Sequence, residues 1–115
     1  MTVKILHNPR CSKSRETLAL LKEKGIDPVV VEYLVDTPKA SELTEIISML
    51  KITPRDLMRK KEAPYKELGL DDPSLTDEQL IAAMVAHPKL IERPIVIAGG
   101  KAALGRPPQA VLEIL

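Results

Sequence analysis

The sequence predicts an α/β fold: a strand–helix–strand unit opens the chain, helices fill its middle, and a strand–strand–helix unit closes it. Three observations carry this. A short β-branched run near the N-terminus passes straight into a helical segment and then into a valine-rich run. The centre repeats apolar residues at helical spacing. Near the C-terminus two apolar runs are separated only by Gly99-Gly100.

The elements follow in order. "VKIL" (Val3–Leu6) reads as a buried strand, ended by the turn signal Asn8-Pro9. From about Ser12 to Lys24 the chain favours helix, with Leu18, Leu20 and Leu21 as an apolar stripe and Gly25 as the stop. "PVVVEYL" (Pro28–Leu34) is a second strand. Strand, helix and strand with a short connection make a βαβ crossover, so these strands should be parallel. In "DTPKASELTEIISML", Thr37 is expected to cap a helix with Pro38 at its first position. Leu43, Ile46, Ile47 and Leu50 fall on one face of it. Thr53-Pro54 starts one or two short turns, and "APYKELGL" is irregular or briefly helical. Thr76 with Gln79 forms a capping box, and His87-Pro88 ends the helix that follows. "PIVIA" and "KAALG" pair as a hairpin about the two glycines, and "PPQAVLEIL" is expected to be a final helix.

Composition bounds the rest. The 115 residues suffice for one domain with a real core, 44% are apolar and 29% charged, and Phe and Trp are absent. The core must therefore rest on Leu, Ile, Val, Met and Ala. A net charge of +1 gives the chain no overall attraction to nucleic acid or to an anionic membrane. No apolar run approaches the ~18 residues of a membrane span. "MTVKILHNP" leads into a strand without a signal peptide's apolar core, and a single cysteine excludes an internal disulfide. The expectation is a cytoplasmic protein.

That cysteine, Cys11, lies where the first strand hands over to the first helix, within "HNPRCSKSRETLALL". A thiol at a helix N-terminus feels the positive end of the dipole, and Arg10, Lys13 and Arg15 add positive potential against Glu16. Such surroundings lower a cysteine pKa, and the outward amides can hold an oxyanion. A lone cysteine is commonly a small buried apolar residue, but polar flanks argue against that here. The phosphatase spacing Cys-x5-Arg is not met, since Arg15 gives Cys-x3-Arg, and His7, His87 and one cysteine do not make a zinc site.

The order of elements is that of a thioredoxin-like βαβ…ββα core with a helical insertion between its halves. We read residues 1–115 as one such domain, with the insertion at about 37–92. Pro94 opens the third strand, where such folds place a cis-proline beside the thiol, so the Arg93–Pro94 bond is expected to be cis.

"HNPRCSKSRETL", "RKKEAPYKELGL", "HPKLIERPIV" and "GRPPQAVL" resemble, in order and spacing, the glutaredoxin-coupled arsenate reductases. The resemblance runs from His7 to Leu112. It implies that Cys11 is the nucleophile and that Arg59, Arg93 and Arg106 surround the oxyanion. It implies that His7 and Ser14 help to lower the thiol pKa and shape the loop; Arg15 also follows the pattern. Arginine suits such a site because its planar fork bonds tetrahedral oxyanions bidentately. Read from the residues alone, Arg59 among Arg55, Lys60 and Lys61 fits a solvated surface equally well, and His7 could be simply a satisfied strand-end histidine.

The implied reaction reduces arsenate to arsenite through a covalent thiol–arsenate adduct on Cys11, with glutathione as co-substrate, glutaredoxin as partner and no bound metal or cofactor. Ser14 stands where redox proteins carry a second cysteine, so an external thiol is required. The sequence leaves two alternatives. One is a regulatory binding protein like the Spx-type regulators, which usually carry Cys-x-x-Cys. The other is a glutathione-dependent thiol enzyme acting on another substrate.

Overall fold

The computed structural model describes residues 2–115. The described chain forms two compact units, one of residues 2–36 with 93–115 and one of residues 37–92.

The first unit holds β1 (Val3–His7), α1 (Ser12–Glu23), β2 (Val29–Glu32), β3 (Ile95–Ala98), β4 (Lys101–Leu104) and a 3-10 segment at Pro108–Ile114. Its sheet runs β2-β1-β3-β4. β1 and β2 are parallel, as the crossover requires, with Leu6 opposite Val31. β1–β3 and β3–β4 are antiparallel. The expected thioredoxin-like order is therefore present. Gly99 and Gly100 join the last two strands with φ of 56° and 75°. Residues with a Cβ rarely adopt that backbone at consecutive positions, which is why two glycines mark the turn.

Successive residues of β1 face opposite sides of the sheet. Val3 and Ile5 enter a core with Leu21, Val96, Ala98 and Val111. His7 continues that column. The matching line on α1 is Ser14, Thr17 and Leu21, all buried. This differs from the expected leucine stripe: Leu18 and Leu20 pack only at its margin. Two polar residues occupy the inner face because each has a partner there. Thr17 Oγ1 donates to the Lys13 carbonyl at 2.8 Å, and Ser14 bonds at the active end of the sheet. The C-terminal helix is 3-10, not α. It opens on prolines that lack N–H donors, and Ala110 N–H closes back to the Pro107 carbonyl at 3.0 Å.

The second unit holds α2 (Ala40–Leu50), α3 (Pro54–Leu57), α4 (Ala63–Glu67), α5 (Asp77–Ala86) and a 3-10 turn at Pro88–Leu90. Leu43, Ile46 and Ile47 of α2 are buried with Leu57, Leu80, Ile81 and Met84. Thr76 with Gln79 caps α5 reciprocally, as expected, and Thr53 starts α3, as expected, with a reciprocal cap to Asp56 as well. α2 corrects its expected start. Its cap is Lys39, because Glu42 accepts from the Lys39 N–H at 3.2 Å, whereas Thr37 has only Ala40 three residues on. Around Arg59 the backbone is pinned: Arg59 N–H donates to the Leu90 carbonyl at 2.7 Å, and Glu92 N–H to that of Leu57 at 2.8 Å.

Candidate active site

Cys11 is the N-cap residue of α1, in extended conformation, and its sulfur closes no capping hydrogen bond. Its own N–H donates to the Asn8 carbonyl at 3.0 Å, and its carbonyl accepts from Arg15 N–H at 3.0 Å. The loop is thus a tight hand-over from β1 to α1. The thiol is free and retains 8% of its surface, more buried than its polar flanks suggested. Arg10, Ser12, Lys13 and Arg15 are exposed, while Cys11 and Ser14 are buried.

Burial pushes the Cys11 pKa up, but opposing influences hold it below the ordinary cysteine value. These are the Ser14 N–H, the Arg93 guanidinium, the Lys13 N–H and the Arg106 guanidinium. The direction and the helix amides are those expected; the cations are not, since Arg93 and Arg106 stand where Arg10, Lys13 and Arg15 were expected. Lys13 sends its ammonium to Glu16 at 3.4 Å, and Arg15 donates Nη1 to the Pro9 carbonyl at 3.0 Å. Arg15 therefore braces the loop.

Arg106 comes to the sulfur from 95 residues away, with Nη2 at 3.8 Å from Sγ. Its Nε donates to the Arg93 carbonyl at 2.8 Å. The Arg93–Pro94 bond is cis, as expected, and so is Arg106–Pro107, which was not anticipated. Cys11, Arg93 and Arg106 thus form one electropositive group.

His7 and Ser14 lie behind the loop. His7 Nδ1 and Ser14 Oγ are 2.6 Å apart, and Asn8 N–H donates to the same Oγ at 3.0 Å. Desolvation lowers the His7 pKa, with Glu32 opposing and Arg15 and Lys22 assisting. A neutral ring has one acceptor nitrogen, and Ser14 has a hydroxyl hydrogen to give. We assign Ser14 Oγ–H as donor to Nδ1. Ser14 is then fixed from two sides, and its amide is held toward the thiol. Arg59 belongs to the second unit, where Nη1 pairs with Glu62 Oε1 at 2.5 Å.

The ArsC family profile matches residues 6–114. The chain belongs to the ArsC family. A relative from Escherichia coli strain K12, named as the uncharacterized protein YfgD, is 60% identical over 114 residues, covering 98% of this chain and 96% of its own. An arsenate reductase from Haemophilus influenzae is 53% identical over 116 residues, with all of both chains covered. A solved arsenate reductase from Vibrio cholerae superposes with a TM-score of 0.97 at 56% identity, covering 100% of this chain and 98% of its own.

Within this ArsC chain, two residues that bond to the candidate residues or their loop, one in each unit, had no clear signal. Asn8 was read only as a turn residue. Its carbonyl and side chain hold the Cys11 and Arg10 amides, an arrangement that Asn-Pro before a helix can announce. Glu62, the partner of Arg59, follows it by three residues, a charge spacing common on any surface. Among the described residues no three His, Cys, Asp or Glu side chains group as a metal site would require. No helix among them is long and apolar enough to cross a membrane.

Proposed function

We propose that this chain reduces arsenate to arsenite, with Cys11 as nucleophile and with glutathione and glutaredoxin supplying the electrons. The observation that carries the reading is the approach of Arg106 to the Cys11 sulfur at 3.8 Å. A thiolate and a tetrahedral oxyanion repel one another unless fixed cations lie between them. Membership of the ArsC family, and relatives named arsenate reductases, support arsenate as the oxyanion.

The Cys11 thiolate attacks arsenic(V), and an oxygen leaves as water after protonation, giving a thiol–arsenate adduct. Arg93 and Arg106 offset the negative charge as the S–As bond forms. Arg59 is the third arginine in this reading. Glutathione then attacks, and the two sulfurs pass two electrons to arsenic. Arsenite leaves as arsenic(III), and Cys11 remains joined to glutathione in a mixed disulfide. Ser14 cannot resolve it, so a glutaredoxin thiolate attacks the glutathione sulfur and Cys11 departs as thiolate. The lowered Cys11 pKa favours both the first attack and the last departure.

Arsenite formation by the purified chain with glutathione and glutaredoxin tests this. The native chain should turn over, Cys11→Ser should not, and omission of either thiol component should stop multiple turnovers. Equal rates for the native chain and Cys11→Ser would end the proposal.

A further inference from the structure

The segment that carries Arg106 leaves β4 just past its last pair with β3, Leu104 opposite Ile95. Two more bonds extend that register beyond the strands. Gly105 N–H donates to the Pro94 carbonyl at 3.0 Å, and Arg106 Nε takes the Arg93 carbonyl at 2.8 Å. On its other side Gly105 lies against Thr17 of α1. Thr17 is wholly buried, one turn beyond Ser14 on the same helix face, and tied to the Lys13 carbonyl at 2.8 Å.

Gly105 does not sit in the left-handed region. Its backbone conformation alone therefore does not require glycine; the close approach does. A Cβ there would stand 2.5 Å from Thr17 Oγ1, 3.2 Å from Thr17 Cγ2 and 2.7 Å from Pro94 Cγ. A proline ring and a tied, buried threonine have no flexible end to swing away. A side chain at position 105 would instead push the backbone, with Arg106 next along it, off α1.

We propose that Gly105, seated on Thr17, is a positioning residue that sets how closely Arg106 can approach the Cys11 sulfur. This rests on the reading of Arg106 as an oxyanion-binding group. Gly105 touches no substrate; it acts through Arg106. The same helix face then serves the thiol twice, Ser14 from behind the loop and Thr17 by seating the arginine's segment.

The test is a double-mutant cycle of Gly105→Ala with Arg106→Ala, read in two ways. One readout is kcat/KM for arsenate. The other is the ratio of Cys11 alkylation rates with iodoacetate and iodoacetamide, which reports attraction of an anion to the thiol without any arsenate chemistry. A displacement of ~1 Å at a reacting site can cost about a hundredfold, so Gly105→Ala should lower kcat/KM at least tenfold. It should also lower the iodoacetate preference. In the Arg106→Ala background the same change should alter either readout by no more than about twofold, the scatter of independent sites. Gly105→Ala with Thr17→Ala should recover part of the loss.

Should Gly105→Ala not fold, Thr17→Ala alone, which only removes atoms, is read in the same two backgrounds. A loss confined to the chain with Arg106 supports the proposal. Equal loss in both backgrounds, or none in either, overturns it and leaves Gly105 a packing residue. If the alkylation pattern holds while the native chain fails to reduce arsenate, the positioning role stands and the arsenate reading falls.

Discussion

Arg106 allows charge and geometry to be separated. Its guanidinium makes two engagements: Nε to the Arg93 carbonyl at 2.8 Å, and Nη2 toward the Cys11 sulfur at 3.8 Å. Unit charges ~4 Å apart attract by about 1 kcal/mol in water, and Arg106 is exposed enough for the aqueous figure to apply. A charge-assisted hydrogen bond to the oxyanion adds about 1.5–3 kcal/mol. Arg106→Ala loses both contributions, roughly 3 kcal/mol or about a hundredfold in kcat/KM for arsenate. Arg106→Lys keeps the charge. An ammonium cannot hold the Arg93 carbonyl and present a planar fork to substrate at once, so a loss of about tenfold should remain. The thiol should separate the two variants again. Alanine should move the alkylation midpoint of Cys11 toward ordinary cysteine, and lysine should move it less. Turnover and alkylation rate, each followed against pH, measure the two effects. If lysine matches the native chain in both, the fork contributes nothing. If raising the pH restores the alanine variant fully, Arg106 acts on the thiol alone and the oxyanion contact assigned to it is absent.

Two further outcomes follow from other contacts. Arg55, a near neighbour of Arg59 in sequence, is a clamp: it donates to Tyr65 Oη at 3.1 Å, the Leu70 carbonyl at 2.5 Å and the Asp72 carbonyl at 2.8 Å. Arg55→Ala should cost about 2 kcal/mol in urea unfolding, while exposed Lys60→Ala changes little; a loss below about 0.5 kcal/mol would place Arg55 among ordinary surface residues. His7 has a folded-state pKa below its ordinary value, so the unfolded chain binds more protons between the two values. Its contribution is complete above about pH 6.5 and should fall away as pH drops through the folded-state pKa; His7→Asn should flatten the urea midpoint across pH 5–8, and an unchanged slope would contradict the assignment of a neutral ring to Ser14.

What could be read from the sequence was what neighbours in sequence decide. Thr53, Thr76 with Gln79, and Gly99-Gly100 act within a few residues, and each does what its local chemistry requires. The start of α2 was misread because Thr37-Pro38 is a good local signal that lost to a better one, the Glu42 carboxylate reaching back to Lys39. The site divides along the same line. The hand-over from β1 to α1 placed Cys11 correctly, while the cations credited from local sequence with lowering its pKa were those nearest to it; Arg93 and Arg106, which do so, entered only through the family resemblance. On a helix, successive side chains radiate about 100° apart, so Ser12, Lys13, Ser14 and Arg15 cannot all converge on the residue that caps them. Lys13 turns to Glu16 and Arg15 to Pro9. What α1 can offer its own cap is backbone, the Ser14 and Lys13 amides. Guanidinium groups facing the thiol must then arrive from another segment, here the residues flanking the β3–β4 hairpin. Among these, Arg106 is set by Gly105, whose requirement for glycine comes from Thr17 and Pro94. No periodicity announces a contact of that kind, because its cause is the absence of a side chain where two distant segments meet.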